Sequence, residues 1–317
     1  MVGKGTDLAG RLVQRFRRLE SDRGTLESHW QEIAERILPA YSTTFTSRGV
    51  LRSPGEKRTE FIFDSTAAIA LKRFAAILDS LLTPRNETWH RLVASEPSLM
   101  KDRAVALWFE DVTRALFKYR YAPPTNFASQ NQQNWINLGA FGTGALFVDQ
   151  LATEPGIRYR SIHLGEIYFA ENHQGMVDTA FRRFELTARQ AVQRWGEDGV
   201  PGRIKEQLAS NPEQMAWYLH CVYPRGEERD PERGDYRGMA FASSYVALEG
   251  PQLLSEGGYS SFPYPISRYE QATGEVYGRS PGMDVLPTVK TLNEMMKTQL
   301  KQGHRTVDPV LLAHDDG

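Results

Sequence analysis

The one stretch with the spacing of a catalytic motif is Gly278-Arg279-Ser280-Pro281-Gly282, a G-x-S-x-G lying between an expected strand and an expected helix. That is the setting of a hydrolase nucleophile elbow, in which the serine attacks an acyl carbon. The chemistry also needs the backbone N–H of the residue after the serine, to hold the oxyanion, and Pro281 has none. Only 35 residues follow Gly282, too few for the rest of such a fold. The same five residues read better as a helix start, with Ser280 as cap and Pro281 in the first turn. A serine hydrolase is therefore an alternative and not the main reading, as is an unrelated scaffold or binding protein.

The other chemical signals are weaker. Gly139-Ala140-Phe141-Gly142-Thr143-Gly144 is glycine-rich, but it follows a helix and precedes a strand. A phosphate loop needs the reverse order, so that the phosphate meets a helix N-terminus. A sharp glycine-permitted bend is expected there. The seven histidines show no H-x-x-x-H or H-x-H spacing, and the single cysteine, Cys221, sits in an apolar strand as a small core residue. No cofactor and no metal site is expected. Asn86-Glu87-Thr88 is a formal glycosylation sequon with no secretory context.

Two basic faces remain. Arg11, Arg15 and Arg18 form one on the first helix, which reads as a solvated face. Near the C-terminus Lys290, Lys297 and Lys301 fall at i, i+7 and i+11, with Arg305 beyond them. On a monomer they too would be a solvated face. Repeated around a ring, they would offer weak, sequence-blind charge to a phosphate backbone.

These residues need elements to hold them. Asp7 is read as the cap of a first helix reaching about Ser21, and Gly24 separates it from a second carrying Leu26, Trp30, Ile33 and Ile37. Residues 42–60, rich in Ser, Thr, Gly and Arg, read as a mobile loop. Asp64 caps an Ala-rich apolar helix up to Thr83-Pro84, expected to be the most buried of this region. Thr88 to Ala94 alternates like a strand, Ser98 opens a long helix, and Asn126 caps another. The period then changes from 3.6 to 2, with strands near 145–151, 157–163, 166–171, 176–185, 216–223, 239–248 and 264–271 and helices after Thr187 and Pro201. The final helix carries an apolar stripe of Val285, Val289, Leu292, Met296 and Leu300 and is expected to end at Gly303. The fold class is α+β.

Composition sets the bounds. The chain has 317 residues, 40% of them hydrophobic, which is enough to bury a core. With 38 basic and 39 acidic residues the net charge is −1, against a protein whose whole surface grips nucleic acid. No apolar run is long enough to span a membrane, the first residues lack a signal peptide's apolar core, and one cysteine suits a reducing compartment. The sequence stops on VDPVLLAHDDG, an apolar run and a turn, which reads as the front part of a longer chain.

The string GEVYGRSPGMDVLPTVKTLNEMMKTQL…DPVLLAHDDG resembles the head-to-tail connector, or portal, proteins of tailed bacteriophages, especially short-tailed ones. WQEIAERILPAY, FDSTAAIALKRFAAILDSLLTPRNETWHRL and NLGAFGTGALFVDQ agree in the same order, with HLGEIYFAENHQGMVDTAFRRFELTARQ behind them. The resemblance implies a non-enzymatic subunit of a closed ring of roughly twelve copies at one capsid vertex. Double-stranded DNA would pass through it non-specifically during packaging, retention and ejection. Its partners would be other copies of itself, the terminase large subunit, the major capsid or scaffolding protein and the tail adaptors. It implies a virion protein assembled in the host cytoplasm, with no membrane partner. On this chain it implies a wing made of a helical part (1–144) and a β-rich part (145–276), a stem helix (277–306) and the start of a clip (307–317). The rest of the clip, the second stem helix and the crown are absent from it. Lys290, Lys297, Lys301 and Arg305 would face the DNA channel, and Val285, Val289, Leu292, Met296 and Leu300 would pack the stem.

Overall fold

The computed structural model describes residues 2–39, 45, 59, 62–151 and 156–309, with side chains from Asp7 onward. The loop expected over 42–60 lies, apart from Phe45 and Thr59, outside the described residues, as do 310–317 of the expected clip entry. Five helices come first: α1 (Val2–Asp22), α2 (Gly24–Arg36), α3 (Thr66–Leu82), α4 (Arg103–Arg120) and α5 (Phe127–Phe141). The strands β1 (Thr143–Gln150), β2 (Ile157–Ile162), β3 (Ile167–Glu171) and β4 (Val177–Thr187) follow, then α6 (Ala188–Trp195) and α7 (Gly202–Ser210). After these come β5 (Met215–Pro224), β6 (Phe241–Ala247), β7 (Gln252–Tyr259) and β8 (Ile266–Arg268), and α8 (Pro281–Val307) closes the described chain. The fold is α+β.

The strands form two antiparallel sheets, one ordered β2-β1-β8 and the other β3-β4-β5-β6-β7. Period-two alternation gives the larger sheet two different faces. Phe181 of β4 and Leu219 and Cys221 of β5 turn to α1, where Ala9, Leu12, Val13 and Phe16 cover them. Phe184 and Tyr218 turn the other way, under Ala188 and Ala191 of α6 and Ile204 of α7. A third apolar cluster joins helices to sheets: Trp30 and Ile33 of α2, Phe141 of α5, Phe147 of β1, Ile167 of β3 and Met283, Leu286 and Val289 of α8. Helical and β-rich parts therefore share one core.

The α1–α2 joint is held by a buried cation. Arg23 is 1% exposed, pairs with Glu27 at 2.7 Å and donates to the carbonyls of Leu164 and Ile167. Its guanidinium also lies 3.7 Å from the Tyr168 ring centre. A buried arginine is tolerable here because its donors find acceptors.

Several expectations are corrected. α3 is not the most buried helix: of its residues only Leu71 and Ala75 are buried, whereas Ile69, Ile77, Leu81 and Leu82 are exposed. Its close contact is with α5, and there the small residue belongs to α5: a Cβ on Gly139 would come 2.7 Å from Phe74 of α3. Thr88–Ala94 is extended but unladdered. Side chains satisfy its backbone instead, Thr113 Oγ1 accepting from Leu92 N at 3.0 Å and Met100 Sδ from Ala94 N at 3.4 Å. Asp7 lies within α1 rather than at its start, and Asp102, not Ser98, caps the long helix by accepting from Ala104 N. Gly303 does not end α8, which runs on to Val307. The strand β7 was not expected at all. Among the described residues no helix is long and apolar enough to cross a membrane.

Candidate functional site

The feature the fold is built to present is α8, 27 residues long and thus about 40 Å at 1.5 Å per residue. Its seat begins at Ser280. The hydroxyl, 2% exposed, accepts from Met283 N at 3.0 Å and donates to the Ala140 carbonyl at 2.8 Å, so it caps α8 and satisfies the end of α5 together. It has no base beside it and no access to substrate. The nucleophile reading fails on this geometry as well as on Pro281.

Around this cap the backbone is packed without side chains. Gly142 ends α5 at φ +76°, where a Cβ would lie 2.3 Å from the Gly278 carbonyl oxygen. A Cβ on Gly278 would in turn lie 2.2 Å from the Gly142 carbonyl oxygen. Thr143 Oγ1 accepts from Gly278 N, and Glu270 and Arg279 pair their backbones. The glycine run is the expected bend, and it also lets the α8 approach cross the α5–β1 corner at contact distance.

The first half of α8 rests on the preceding helices and strands. Met283, Leu286, Val289 and Asn293 are buried, and Asn293 Oδ1 accepts from Phe63 N and Asp64 N, both at 3.1 Å. Beyond Asn293 this support ends. Met296 and Lys297 are half-buried and every described residue from Thr298 onward is exposed.

The five residues expected to pack a stem fall on a face offset from the buried one. Val289 is buried and Met296 half-buried, whereas Val285 (47%), Leu292 (37%) and Leu300 (50%) are exposed in the single chain. The four cations lie within about 80° of arc, centred about 140° from the apolar stripe at 100° per residue. Lys290 reaches Glu32 of α2 at 3.3 Å, and Lys297 reaches Glu294 at 3.3 Å with its ammonium over Phe63. Lys301 and Arg305 stand on the exposed length, without an ion pair among the described residues. Such exposed pairs contribute about 0–1 kcal/mol each, so the cations cost little to redirect. Sequence reasoning missed Asn293, the anchor of this helix, because a lone Asn in a polar stretch carries no periodic signal.

The fold and this site define a structural module: an α+β platform that holds a long, half-covered helix by its N-terminal turns. Comparison with known proteins gives the module its family. Residues 9–316 match the model for bacteriophage head to tail connecting proteins, and the chain belongs to that family. It is 32% identical over 285 residues to a probable portal protein of Bordetella phage BPP-1, a match covering 89% of this chain and 50% of that protein. It is 30% identical over 308 residues to the portal protein of Salmonella phage epsilon15, covering 96% of this chain and 54% of that one. The chain thus spans about half the length of these relatives.

Proposed function

We propose that this chain supplies the wing and first stem helix of a portal subunit, one copy in a ring of roughly twelve at a single capsid vertex. In this reading residues 1–144 and 145–276 are the helical and β-rich parts of the wing, 277–306 the stem helix and 307–317 the entry to the clip. The ring passes double-stranded DNA inward during packaging, retains it, and releases it on ejection. The terminase large subunit docks on it and supplies the ATP hydrolysis, tail adaptors follow, and the capsid or scaffolding protein holds the rim. The subunit is a virion component and catalyses nothing itself.

The observation that carries this reading is the half-covered α8 in a chain that matches the connector family over residues 9–316. Its exposed apolar stripe is covered by a neighbouring copy or by a second stem helix, because burying an aliphatic side chain is worth roughly 1.5–3 kcal/mol. The cations stay wet, because an unpaired buried ammonium costs several kcal/mol. Turned to a common axis, Lys290, Lys297, Lys301 and Arg305 give DNA a contact without base readout.

The test is a quadruple K290Q/K297Q/K301Q/R305Q variant of the full-length subunit, followed by native mass spectrometry and packaging. Rings should form as in the wild type while packaged DNA is lost or leaks. Failure to assemble, with normal packaging in whatever rings remain, would make these residues interface groups and overturn the channel assignment.

A further inference from the structure

Between the two sheets lies a half-open cavity of about 400 Å³, within the range of small-ligand sites. Four arginines line it: Arg158 and Arg160 from β2, Arg182 from β4 and Arg194 from α6. Guanidinium groups stay charged in proteins, so this is fixed like charge gathered around one space. Only Asp149 among the lining residues is acidic, and Glu166 outside the lining pairs with Arg182 at 3.1 Å. Four cations meet two carboxylates, an excess of two positive charges.

One side of the cavity is held in place by ring stacking and hydrogen bonds. Arg194 has no carboxylate partner among the described residues; its guanidinium lies 4.3 Å from the Tyr245 ring centre. Tyr245 in turn stacks on His220, ring centres 4.1 Å apart and planes 2° from parallel. His220 is fixed at both nitrogens, to the Tyr264 hydroxyl at 2.7 Å and to Ser243 Oγ at 2.9 Å. Arg158 donates to the Pro124 carbonyl at 2.8 Å and makes no ion pair with Asp149, although the two face each other across β1 and β2. Arg160, two residues along the same strand face, makes no hydrogen bond or ion pair among the described residues, with Arg182 and Arg158 near it. Arg160 thus lines the cavity with its donors uncommitted to protein acceptors among the described residues.

We propose that this cavity binds a phosphate group, held chiefly by Arg160 and Arg194 with Arg158 and Arg182 behind them. Arginine forks match phosphate oxygens in pairs, and the surplus of two charges offsets one free phosphate dianion or two singly charged backbone phosphates. The phosphate can be free, as inorganic phosphate or diphosphate, or part of a nucleic-acid backbone. The site stands apart from α8 and does not depend on the ring.

Isothermal titration of the purified full chain with inorganic pyrophosphate and, separately, with a short DNA duplex tests this. At least one of the two should bind saturably, and R160Q and R194Q should each weaken that binding roughly tenfold. R203Q, which removes an exposed arginine paired with Glu249, should leave it unchanged. Unliganded melting temperatures verify folding, because Arg160 and Arg194 are both exposed. Pyrophosphate binding without competition from the duplex identifies a free phosphate. Duplex binding whose salt slope falls by about 1 in each variant identifies backbone phosphate. No saturable binding by either probe, or binding that R160Q/R194Q leaves intact, overturns the proposal.

Discussion

Ser280 joins two elements through one oxygen, as donor to Ala140 and acceptor from Met283. Ser280→Ala should cost about 1–3 kcal/mol, from a lost cap and an orphaned buried carbonyl, read as a lower urea midpoint with no catalytic deficit to detect. His220 supplies a second residue-scale test. Burial, with Arg182 and Arg194 nearby, holds its pKa well below the ordinary histidine range. The unfolded chain takes up a proton near pH 6.5 that the folded chain refuses, so stability is complete above that pH and falls below it. The slope is about 1.4 kcal/mol per pH unit, and His220→Gln should remove that increment between pH 6 and 5 in urea titrations. Equal slopes would mean that the folded protein accepts the proton. The cap was legible from Ser280-Pro281 alone, since helix starts are local. The arginine cavity was not, because its members lie on β2, β4 and α6; an R-x-R at 158 and 160 on one strand face was the only local trace.

At the scale of elements, the α5–β1 corner decides where α8 goes. Gly142 has a positive φ and no room for a methyl against Gly278. Gly142→Ala should cost at least about 1–2 kcal/mol for conformation alone, and more because the α8 approach must move. Differential scanning calorimetry should show the loss, and hydrogen exchange should show it concentrated in Gly278–Val289. Most strands could be read from alternation, but β7 could not: QLLSEGGY carries two glycines before its last residue and breaks the apolar period. It exists because β6 offers an edge. Conversely, TWHRLVA alternates and is no strand, because Thr113 of α4 and Met100 in the turn before it take hydrogen bonds a ladder would have made. The burial of α3 was unreadable for a related reason: an Ala-rich sequence shows that a helix can pack closely, while the number of packing partners is set by the fold.

Across the whole molecule the apolar surface is unevenly finished. The sheets are covered on their inner faces, whereas α3, α4 and the outer stripe of α8 leave Ile77, Leu81, Trp108, Val285 and Leu300 exposed. Exposed apolar side chains on three helices are places where association would bury surface, and the proposed ring would give them neighbours. The core shared between helical and β-rich parts makes them one folding unit, so limited proteolysis should cut in the exposed 226–238 segment before the 139–145 corner; a dominant early cut at 139–145 would contradict that. The central claim concerns where α8 stands in the assembly. Cryo-electron microscopy of the assembled vertex measures this directly. The account expects a closed ring with α8 beside the axis, Lys290, Lys297 and Lys301 turned to the lumen and Val285, Leu292 and Leu300 against protein. A ring with α8 at its outer rim, or with those lysines sealed between subunits, would contradict it.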